Sequence, residues 1–370
     1  SGHDREPTPG KNPTSGGSSD TDTTLPMVMP HLSPLRFTPV TTQTPVGRWP
    51  STVRNCFGSI SPDIAVMLLN YCFAMTETPR IEHERHSANG IDFETLVCGT
   101  GPLALCLHGF PDTAHSWRHL LPELARAGFR AVAPFMRGYA PTSVAANGAY
   151  QTAALATDAN ALHEVLGGDG RAVIIGHDWG APATYGAAIL EPARWSRVVG
   201  MSVPPWNTFG AAFLTNQDQI QRSWYMFFFQ HPLSDHIVAS NDMAFIDRLW
   251  TQWSPGYDGT DDARRVKQSL TDPAHLSAAL GYYRATLGQG YRDPALADAQ
   301  SAMQTETPPQ PVLYLHGATD GCIGVELARD ADTRKPANAK VVIVEGAGHF
   351  LQLEQPRRVN DLIVDWVTAS

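Results

Sequence analysis

Apolar and polar positions follow two different patterns along this chain. In residues 81–203 and again in 308–370, short apolar runs alternate with amphipathic stretches of helical period, which predicts strands alternating with helices. In residues 204–307 the strand-like runs stop and the apolar spacing is helical. The pattern predicts one α/β domain, formed by 81–203 and 308–370, whose sheet is covered at one edge by a helical cap, 204–307.

The predicted strands are short runs rich in Val, Ile, Leu and Ala. Asn89-Gly90 joins the first two as a tight hairpin turn, and the later strands alternate with helices, as in a mostly parallel sheet covered on both faces. In chain order the predicted strands are 81–87, 91–98, 103–107, 130–134, 172–175, 197–201, 312–316 and 339–344. The predicted helices of this domain are 117–126, 152–166, 181–190 and 356–367.

The first 80 residues differ from the rest of the chain. Residues 1–50 are dense in Ser, Thr, Gly and Pro and cannot bury enough apolar surface to offset ordering entropy, which predicts a mobile arm. Residues 51–80 contain an apolar run, 64–75, that predicts a helical extension too short to span a membrane. We expect this helix to pack on the core and not to contact a membrane. A cytoplasmic location is favoured, although a chain beginning with Ser1 leaves export open.

The composition of the 370-residue chain is that of a globular protein, with 42% apolar residues and a formal net charge of −9. This modest acidic balance, without a basic run, argues against nucleic acid as a partner. An odd number of cysteines without metal-type spacing predicts neither a disulfide framework nor a zinc site: Cys56, Cys72, Cys98, Cys106 and Cys322. The oligomeric state is left open, with a homodimer as one candidate.

A glycine-flanked turn, Gly176-His177-Asp178-Trp179-Gly180, lies between a predicted strand and a predicted helix. This is the context of a nucleophile elbow, with Asp178 at the position that holds Ser in esterases. A serine attacking a saturated carbon would form an ether, whereas a carboxylate forms an ester that activated water can hydrolyse. Asp178 therefore predicts substitution at an sp3 carbon through an alkyl-enzyme ester. Alone, the motif also fits an ordinary strand-end turn.

Two further polar residues follow later strands and complete a candidate triad. Asp320 ends the turn after strand 312–316, and His349 ends the turn after strand 339–344. Nucleophile, acid and histidine in this chain order are typical of hydrolases with an α/β sheet. We expect Asp320 to orient His349 and His349 to activate water. Glu345 is too near His349 in sequence to be the acid, and Asp330 lies in a predicted helix.

The tetrahedral intermediate of ester hydrolysis needs N–H donors at its oxyanion. The amide that follows the nucleophile belongs to Trp179, and the loop after strand 103–107 offers the amide of Phe110. Gly109 lets the backbone approach closely, and Pro111 fixes the bend. We hypothesise a cis peptide bond between Phe110 and Pro111.

Several motifs together resemble the α/β-hydrolase epoxide hydrolases, an aspartate-nucleophile family related to the haloalkane dehalogenases. They are His108-Gly109-Phe110-Pro111, Arg137-Gly138-Tyr139, the Asp178 elbow, the Gly317-Ala318-Thr319-Asp320 turn and Gly348-His349. The resemblance runs from about residue 81 to the C-terminus. It implies the α/β-hydrolase fold, an apolar epoxide and water as reactants, a diol as product and no cofactor. It also implies two cap tyrosines that hydrogen-bond the epoxide oxygen.

The cap contains two segments similar to the tyrosine motifs of that family. The segment around Trp224-Tyr225 implies the first tyrosine at Tyr225. The segment 280–284 implies the second, and its register favours Tyr283 over the adjacent Tyr282. A buried phenol can donate a hydrogen bond to the opening alkoxide. Side chains near the motifs are expected to line the substrate pocket: His108, Pro111, Trp224, Phe228, Tyr282 and Phe350.

Two other functions are weighed beside the epoxide hydrolase. A haloalkane or haloacid dehalogenase would use the same nucleophile and ester, with halide cradled by N–H donors such as Trp179 and one of Trp224, Trp250 or Trp253. Phe110, where some dehalogenases have Asn, and the tyrosine pair favour the epoxide. A non-catalytic binder would not need Asp178, Asp320 and His349 together. A serine-type esterase is disfavoured because the elbow holds Asp.

Overall fold

The structure is a computed structural model that describes residues 79–205 and 208–369. The predicted arm, 1–50, lies outside these residues, and so does the predicted extension, 51–80, except for its last two positions. Within the described ranges, no helix is both long enough and apolar enough to cross a membrane.

The described residues form one sheet of eight strands, in the order β1-β2-β4-β3-β5-β6-β7-β8. β1 and β2 pair antiparallel, as do β2 and β4, and every other neighbouring pair is parallel. The predicted mostly parallel sheet is therefore confirmed. The strands are β1 Glu82–Ala88, β2 Ile91–Cys98, β3 Leu103–Leu107, β4 Arg130–Pro134, β5 Val173–His177, β6 Arg197–Met201, β7 Val312–Gly317 and β8 Ala339–Val344.

The central strands are apolar along their whole length because both faces of the sheet are covered. Every residue of β3 is buried, so no polar position alternates with the apolar ones. In β7, Leu313 and Leu315 belong to the main core, whereas Tyr314 packs with Ala328 and Ala331 in a separate small cluster. Burial on two faces explains why continuous apolar runs predicted the strands well.

The core helices lie between and after the strands, as predicted. They are α1 Leu121–Arg126, α2 Thr152–Val165, α3 Gly180–Leu190, α11 Val325–Arg334, α12 Leu351–Glu354 and α13 Pro356–Thr368. One predicted helix, 117–126, is instead a 3-10 helix, Ala114–His119, followed by α1. Pro122 lies in the first turn of α1, and because proline has no amide hydrogen, a single helix cannot run through it.

The segment between β6 and β7 is helical in the described residues, which confirms the predicted cap insertion. Its helices are α4 Thr208–Thr215, α5 Gln217–Arg222, α6 Trp224–Phe228, α7 Ser234–Trp253, α8 Thr260–Leu270, α9 Pro273–Leu287 and α10 Ala297–Thr305. α7 is broken by left-handed backbone angles at Asn241, Asp242 and Met243. The proposed cap limits, 204 and 307, fall between β6 and α4 and between α10 and β7.

Polar contacts join the cap to the core. Arg118 binds the Asp262 carboxylate of α8 with N–O distances of 2.7 and 3.1 Å. The Trp250 indole N–H of α7 donates to the Pro111 carbonyl oxygen at 3.0 Å. The Tyr282 hydroxyl of α9 donates to the Arg137 carbonyl oxygen at 2.8 Å. These contacts hold the cap over the carboxyl ends of the parallel strands, where ligands bind in such sheets.

Candidate active site

Asp178 lies in a tight turn between β5 and α3. Its backbone is in the left-handed region, with φ of 52°, and the flanking glycines make this turn possible. A Cβ on Gly176 would lie 2.1 Å from the Gly180 carbonyl oxygen, and a Cβ on Gly180 would lie 2.1 Å from the Leu107 carbonyl oxygen. Any larger residue at either position would collide with backbone, so the glycines fix the position of the Asp178 carboxylate.

One oxygen of Asp178 is held by the loop after β3. The Phe110 amide donates to Asp178 Oδ1 at 2.7 Å. The Phe110–Pro111 peptide bond is cis, as hypothesised from the sequence. A Cβ on Gly109 would lie 2.2 Å from Asp178 Oδ1 and 2.6 Å from the Trp179 amide nitrogen. Both predicted donor amides therefore lie beside the same carboxylate, and only glycine fits between them.

The second oxygen of Asp178 faces a histidine that is held by another carboxylate. His349 Nε2 lies 3.4 Å from Asp178 Oδ2, and its Nδ1 is 2.9 Å from Asp320 Oδ2. Asp320 Oδ1 accepts hydrogen bonds from the amides of Cys322 and Ile323, at 2.8 and 2.9 Å. Asp320 is thus fixed from both sides, and an Nδ1–H donated to it leaves Nε2 directed at Asp178. No described residue makes a hydrogen bond to this Nε2 atom.

For both His349 and Asp320, burial and neighbouring charges shift the pKa in opposite directions. Burial lowers the pKa of His349, but the charges of Asp320 and Asp178 outweigh it and raise this pKa to about 10. Burial raises the pKa of Asp320, but the His349 charge and hydrogen bond hold it below its usual range. The two neighbouring acids therefore favour the protonated form of His349 in the free protein.

Two cap tyrosines reach the same space. Tyr225 and Tyr283 are buried, and their rings make an edge-to-face contact with centroids 5.6 Å apart. The Tyr225 oxygen lies 3.4 Å from Cys322 Sγ, whereas the Tyr283 O–H has no acceptor among the described residues and only the Trp179 indole N–H approaches its oxygen. Burial, strengthened by the nearby charge of Asp178, raises the pKa of both phenols well above its usual value. Both phenols are therefore protonated donors.

A cavity of about 500 Å³ opens beside Asp178, a volume typical of small-molecule sites. Asp178, Trp179, Tyr225 and Tyr283 are among its lining residues. Most of its wall is apolar. The wall is formed by α3, by α4, α9 and α10 of the cap, and by the segment that follows β6. Representative apolar residues are Pro182, Ile189, Phe209, Phe213, Leu287 and Met303. Asp178 of the core and the two tyrosines of the cap thus meet in one largely apolar cavity, whereas His349 and Asp320 are not among its lining residues.

Six residues predicted to line the pocket do not line this cavity, so that part of the prediction is wrong. Three of them have their polar atoms taken up by the scaffold. His108 Nε2 accepts from the Met136 amide at 2.9 Å, and burial lowers the pKa of this histidine to about 4. The Pro111 carbonyl and the Tyr282 hydroxyl make the core–cap contacts described above.

The other three lie behind or outside the cavity because of how their elements are rotated. Phe350 stacks on Trp250, with ring centroids 3.6 Å apart, and supports His349 from behind. Phe228 stacks on Phe245 within the cap. Trp224 is 41% exposed and lines a separate, smaller cavity. Sequence proximity to a motif does not reveal this rotation.

Two buried residues next to the site were missed by the sequence analysis. His177 Nε2 is 2.8 Å from the His349 carbonyl oxygen, and its Nδ1 lies 3.8 Å from Asp112 Oδ2. Neither Nδ1 nor Oδ2 has a hydrogen-bond partner in the part of the chain described. Burial raises the pKa of Asp112 to about 7 and lowers that of His177 to about 3. The signal was available, because each residue directly adjoins a motif.

The cap residues on α10 that line the cavity were also missed. Gln300, Met303 and Gln304 line it, and they follow the i, i+3, i+4 spacing of one helix face. That spacing could have indicated a buried or ligand-facing stripe, although it does not say which.

One group of side chains near the site has metal-ligand types. Ligand atoms of Asp320, Cys322 and His349 lie within 4.8 Å of one another. His349 Nδ1 and Asp320 Oδ2 are already hydrogen-bonded to each other, and Cys322 Sγ contacts Tyr225. This geometry serves the histidine and the phenol, so we assign no metal here, and cofactor-independent chemistry stays a prediction.

A nucleophile after one parallel strand, an acid after another and a histidine after the last strand are the arrangement of hydrolases built on an α/β sheet. Residues 102–356 match the family model described as alpha/beta hydrolase fold. The chain belongs to this α/β-hydrolase fold family, in the group that includes the epoxide hydrolases.

Three similar proteins illustrate this membership. Human epoxide hydrolase 4 is 30% identical over 285 residues, which cover 74% of this chain and 75% of the human protein. Epoxide hydrolase A of Mycobacterium tuberculosis is 28% identical over 76% of this chain and 95% of its own length. The crystal structure of a Bacillus megaterium epoxide hydrolase in complex with an inhibitor has a TM-score of 0.64 and 25% identity, covering 77% of this chain and 100% of that one.

Proposed function

We propose that the protein is an epoxide hydrolase that converts an apolar epoxide to a vicinal diol without a cofactor. The observation that carries the proposal is the Tyr283 hydroxyl, which is buried, has no acceptor for its O–H among the described residues and lines the cavity that contains Asp178. An unpaired buried donor is costly, and a substrate oxygen would satisfy it. The epoxide hydrolases among the similar proteins support the same assignment.

In the first proposed step, Asp178 opens the ring. Because Oδ1 is held by the Phe110 amide, Oδ2 is the oxygen that attacks an epoxide carbon. The carbon–oxygen bond of the ring breaks, the ring oxygen takes a proton from Tyr283 or Tyr225, and an ester with Asp178 forms. Hydrogen bonds from two phenols stabilise the negative charge that develops on this oxygen in the transition state.

In the second proposed step, water hydrolyses the ester. Alkylation neutralises Asp178 and removes one of the two charges that raise the pKa of His349, so this pKa falls and His349 releases its Nε2 proton. That proton replaces the one that the phenol gave to the ring oxygen, and it leaves a neutral imidazole able to act as a base. His349 then removes a proton from water, which attacks the ester carbonyl carbon. The Phe110 and Trp179 amides bind the resulting oxyanion. Its collapse releases the diol and restores the Asp178 carboxylate.

The dehalogenase alternative gains no support from the cap tryptophans. Halide release needs free N–H donors in the cavity. The Trp250 N–H already donates to the Pro111 carbonyl, and Trp224 and Trp253 line the separate, smaller cavity and not the one that contains Asp178. The two phenols are the protonated donors that face this space instead.

Parallel turnover of styrene oxide and 1-bromobutane tests the proposal. We expect diol from the epoxide and no bromide from the bromoalkane. Bromide release without diol formation would overturn the proposal and make the protein a dehalogenase. The D178A variant is the control for both reactions, because any product it forms does not come from this site.

A further inference from the structure

The charged residues of the cavity point to its substrate class. We infer that the cavity selects uncharged epoxides and discriminates against epoxides that carry a carboxylate. This inference rests on the proposed function and extends it from the reacting group to the remainder of the substrate.

The described lining residues include two carboxylates and no Lys, Arg or His. One carboxylate is Asp178, at the inner end, and the other is Glu306, which is exposed at the outer end. His349 Nε2 lies 3.4 Å from Asp178 Oδ2 and offsets the charge of that carboxylate, so a carboxylate on the substrate tail would meet the like charge of Glu306 and no partner within the described lining.

Helix ends add to the negative potential near Glu306. Glu306 is the C-terminal cap residue of α10, and its amide donates to the Ala302 carbonyl oxygen at 2.8 Å. Ile189, in the last turn of α3, also lines the cavity. The last carbonyl groups of a helix carry partial negative charge, so two helix ends and a carboxylate disfavour an anion here.

The nearest counter-argument is Arg292, which approaches the end of α9. Its guanidinium donates to the Thr286 carbonyl oxygen at 3.1 Å and also to the Ala285 carbonyl oxygen. Arg292 is not among the lining residues and neutralises the carbonyl end of α9. Arg292 therefore offsets the partial negative charge at the C-terminal end of α9, but it offers no ion-pair partner to a substrate carboxylate inside the cavity.

The remaining lining residues suit a neutral substrate. The wall near Asp178 is apolar, and the wall near Glu306 carries uncharged polar side chains, Gln300, Gln304, Thr305 and Thr307. Amide and hydroxyl groups can bond a neutral oxygen or nitrogen of a substrate tail, but they do not repay the cost of removing a carboxylate from water. The favoured substrate thus has an apolar body and, at most, an uncharged polar end.

A pair of substrates of equal size tests the inference. 10,11-Epoxyundecanamide and 10,11-epoxyundecanoate differ in charge and hardly in volume, and at pH 8 the acid is ionised. We expect kcat/KM for the amide to exceed that for the carboxylate by about tenfold or more, with the ratio narrowing as salt screens the repulsion. In E306Q the ratio should fall by about threefold or more.

A matched variant and a binding measurement complete the experiment. D298N removes an exposed carboxylate on the same helix that does not line the cavity, so it should keep the wild-type ratio. Equal kcat/KM values for the amide and the carboxylate would overturn the inference. The inference would also fail if E306Q and D298N changed the amide-to-carboxylate ratio of kcat/KM by the same factor. If neither epoxide yields a diol, the proposed function fails. Calorimetry with undecanamide and undecanoate still decides the charge preference, because binding needs no turnover.

Discussion

At the scale of single residues, adjacent tyrosines differ in what their hydroxyl groups can do. Tyr282 donates to the Arg137 carbonyl oxygen, whereas the Tyr283 hydroxyl faces the cavity without a described acceptor for its O–H. Neighbouring residues on a helix point about 100° apart, so one can serve the scaffold while the other meets substrate. The register predicted Tyr283, and its role as an acid is part of the proposal.

Tyrosine-to-phenylalanine variants separate these two roles. Y283F and Y225F should each lower kcat for styrene oxide by about tenfold or more, and the double variant by about a hundredfold or more, because a donor to the leaving oxygen is lost. Y282F should keep kcat and lose about 1 kcal/mol of unfolding free energy with its buried hydrogen bond. Steady-state kinetics and thermal unfolding measure both effects. An inactive Y282F with an active Y283F would reverse the assignment.

Asp112 gives a pH dependence whose sign follows from burial. Its pKa rises from 3.8 to about 7 in the folded protein, mainly through desolvation. Below the unfolded pKa of 3.8 the carboxyl is protonated in both states, and its contribution to stability is fully present. As the pH rises to about 7, the unfolded state ionises while the folded state stays protonated, so this contribution is lost. The side chain of D112N is neutral at every pH. The difference between its thermal unfolding midpoint and that of wild type should therefore shift in favour of D112N as the pH rises from 5 to 9.

The expected change in unfolding free energy is on the order of 1.4 kcal/mol for each pH unit from pH 5 up to about 7, where the unfolded carboxyl is ionised and the folded one is protonated. Thermal unfolding at several pH values measures it. The exposed carboxylate of Asp298 provides the control, since D298N should follow wild type across the range. A D112N difference that is constant with pH would contradict an elevated pKa for Asp112.

At the scale of elements, two glycines of the α3 helix have different tolerance for a methyl group. A Cβ on Gly180 would lie 2.1 Å from the backbone oxygen of Leu107, which cannot move without shifting β3. A Cβ on Gly186 would also meet an atom at 2.1 Å, but that atom is Met303 Cε, the end of a flexible side chain. Although the closest atom is equally near in both cases, we expect an alanine to be excluded at Gly180 and tolerated at Gly186.

G180A should fail to fold or lose most of its stability, and G186A should fold. In G186A the displaced Met303 narrows the cavity, so KM should rise more for stilbene oxide than for propylene oxide, by roughly tenfold at most. Circular dichroism and steady-state kinetics measure these results. A stable, active G180A would show that α3 does not need its close approach to β3.

The element scale also separates what sequence can predict from what it cannot. β2, β3, β4, β6 and β8 begin and end where the apolar runs predict. In β3, β4 and β6 burial of nearly every residue leaves an unbroken pattern, whereas β8 is a mostly half-buried edge strand. Phe350 and Trp224 were assigned to the pocket from their neighbourhood in sequence, and both face elsewhere. Their direction depends on how helices dock, which periodicity does not encode.

The triad was easier to predict than the pocket for the same physical reason. Asp178, Asp320 and His349 follow parallel strands, and the carboxyl ends of such strands meet at one edge of the sheet. Residues that are far apart in sequence therefore lie close together. Asp320 Oδ2 is 2.9 Å from His349 Nδ1, and Asp178 Oδ2 is 3.4 Å from His349 Nε2. Asp112 and His177 lacked a recognisable motif role, although each lies one residue from the site.

At the scale of the whole molecule, the cap and core depend on each other. The Arg118–Asp262 pair joins the 3-10 helix of the core to α8 of the cap, and Tyr257 donates to the same carboxylate at 2.8 Å. Asp262 is buried, so loss of Arg118 leaves its charge without an ionic partner. Docking of the cap therefore contributes to stability and closes the cavity.

R118M should lower the unfolding free energy by about 1–3 kcal/mol, because Asp262 stays buried and charged. R118M with D262N should recover part of this loss, since the uncompensated charge is removed. Urea unfolding measures both values. If the double variant is less stable than R118M, the buried charge is not the cause.

The most direct test of the covalent mechanism is the mass of the peptide that contains Asp178 after H349Q has reacted with styrene oxide. We expect a stable adduct of one substrate on Asp178, because the ester forms but the base that activates water is missing. D178A should form no adduct. An unmodified Asp178 in H349Q, or diol formation by H349Q at the wild-type rate, would contradict the covalent mechanism.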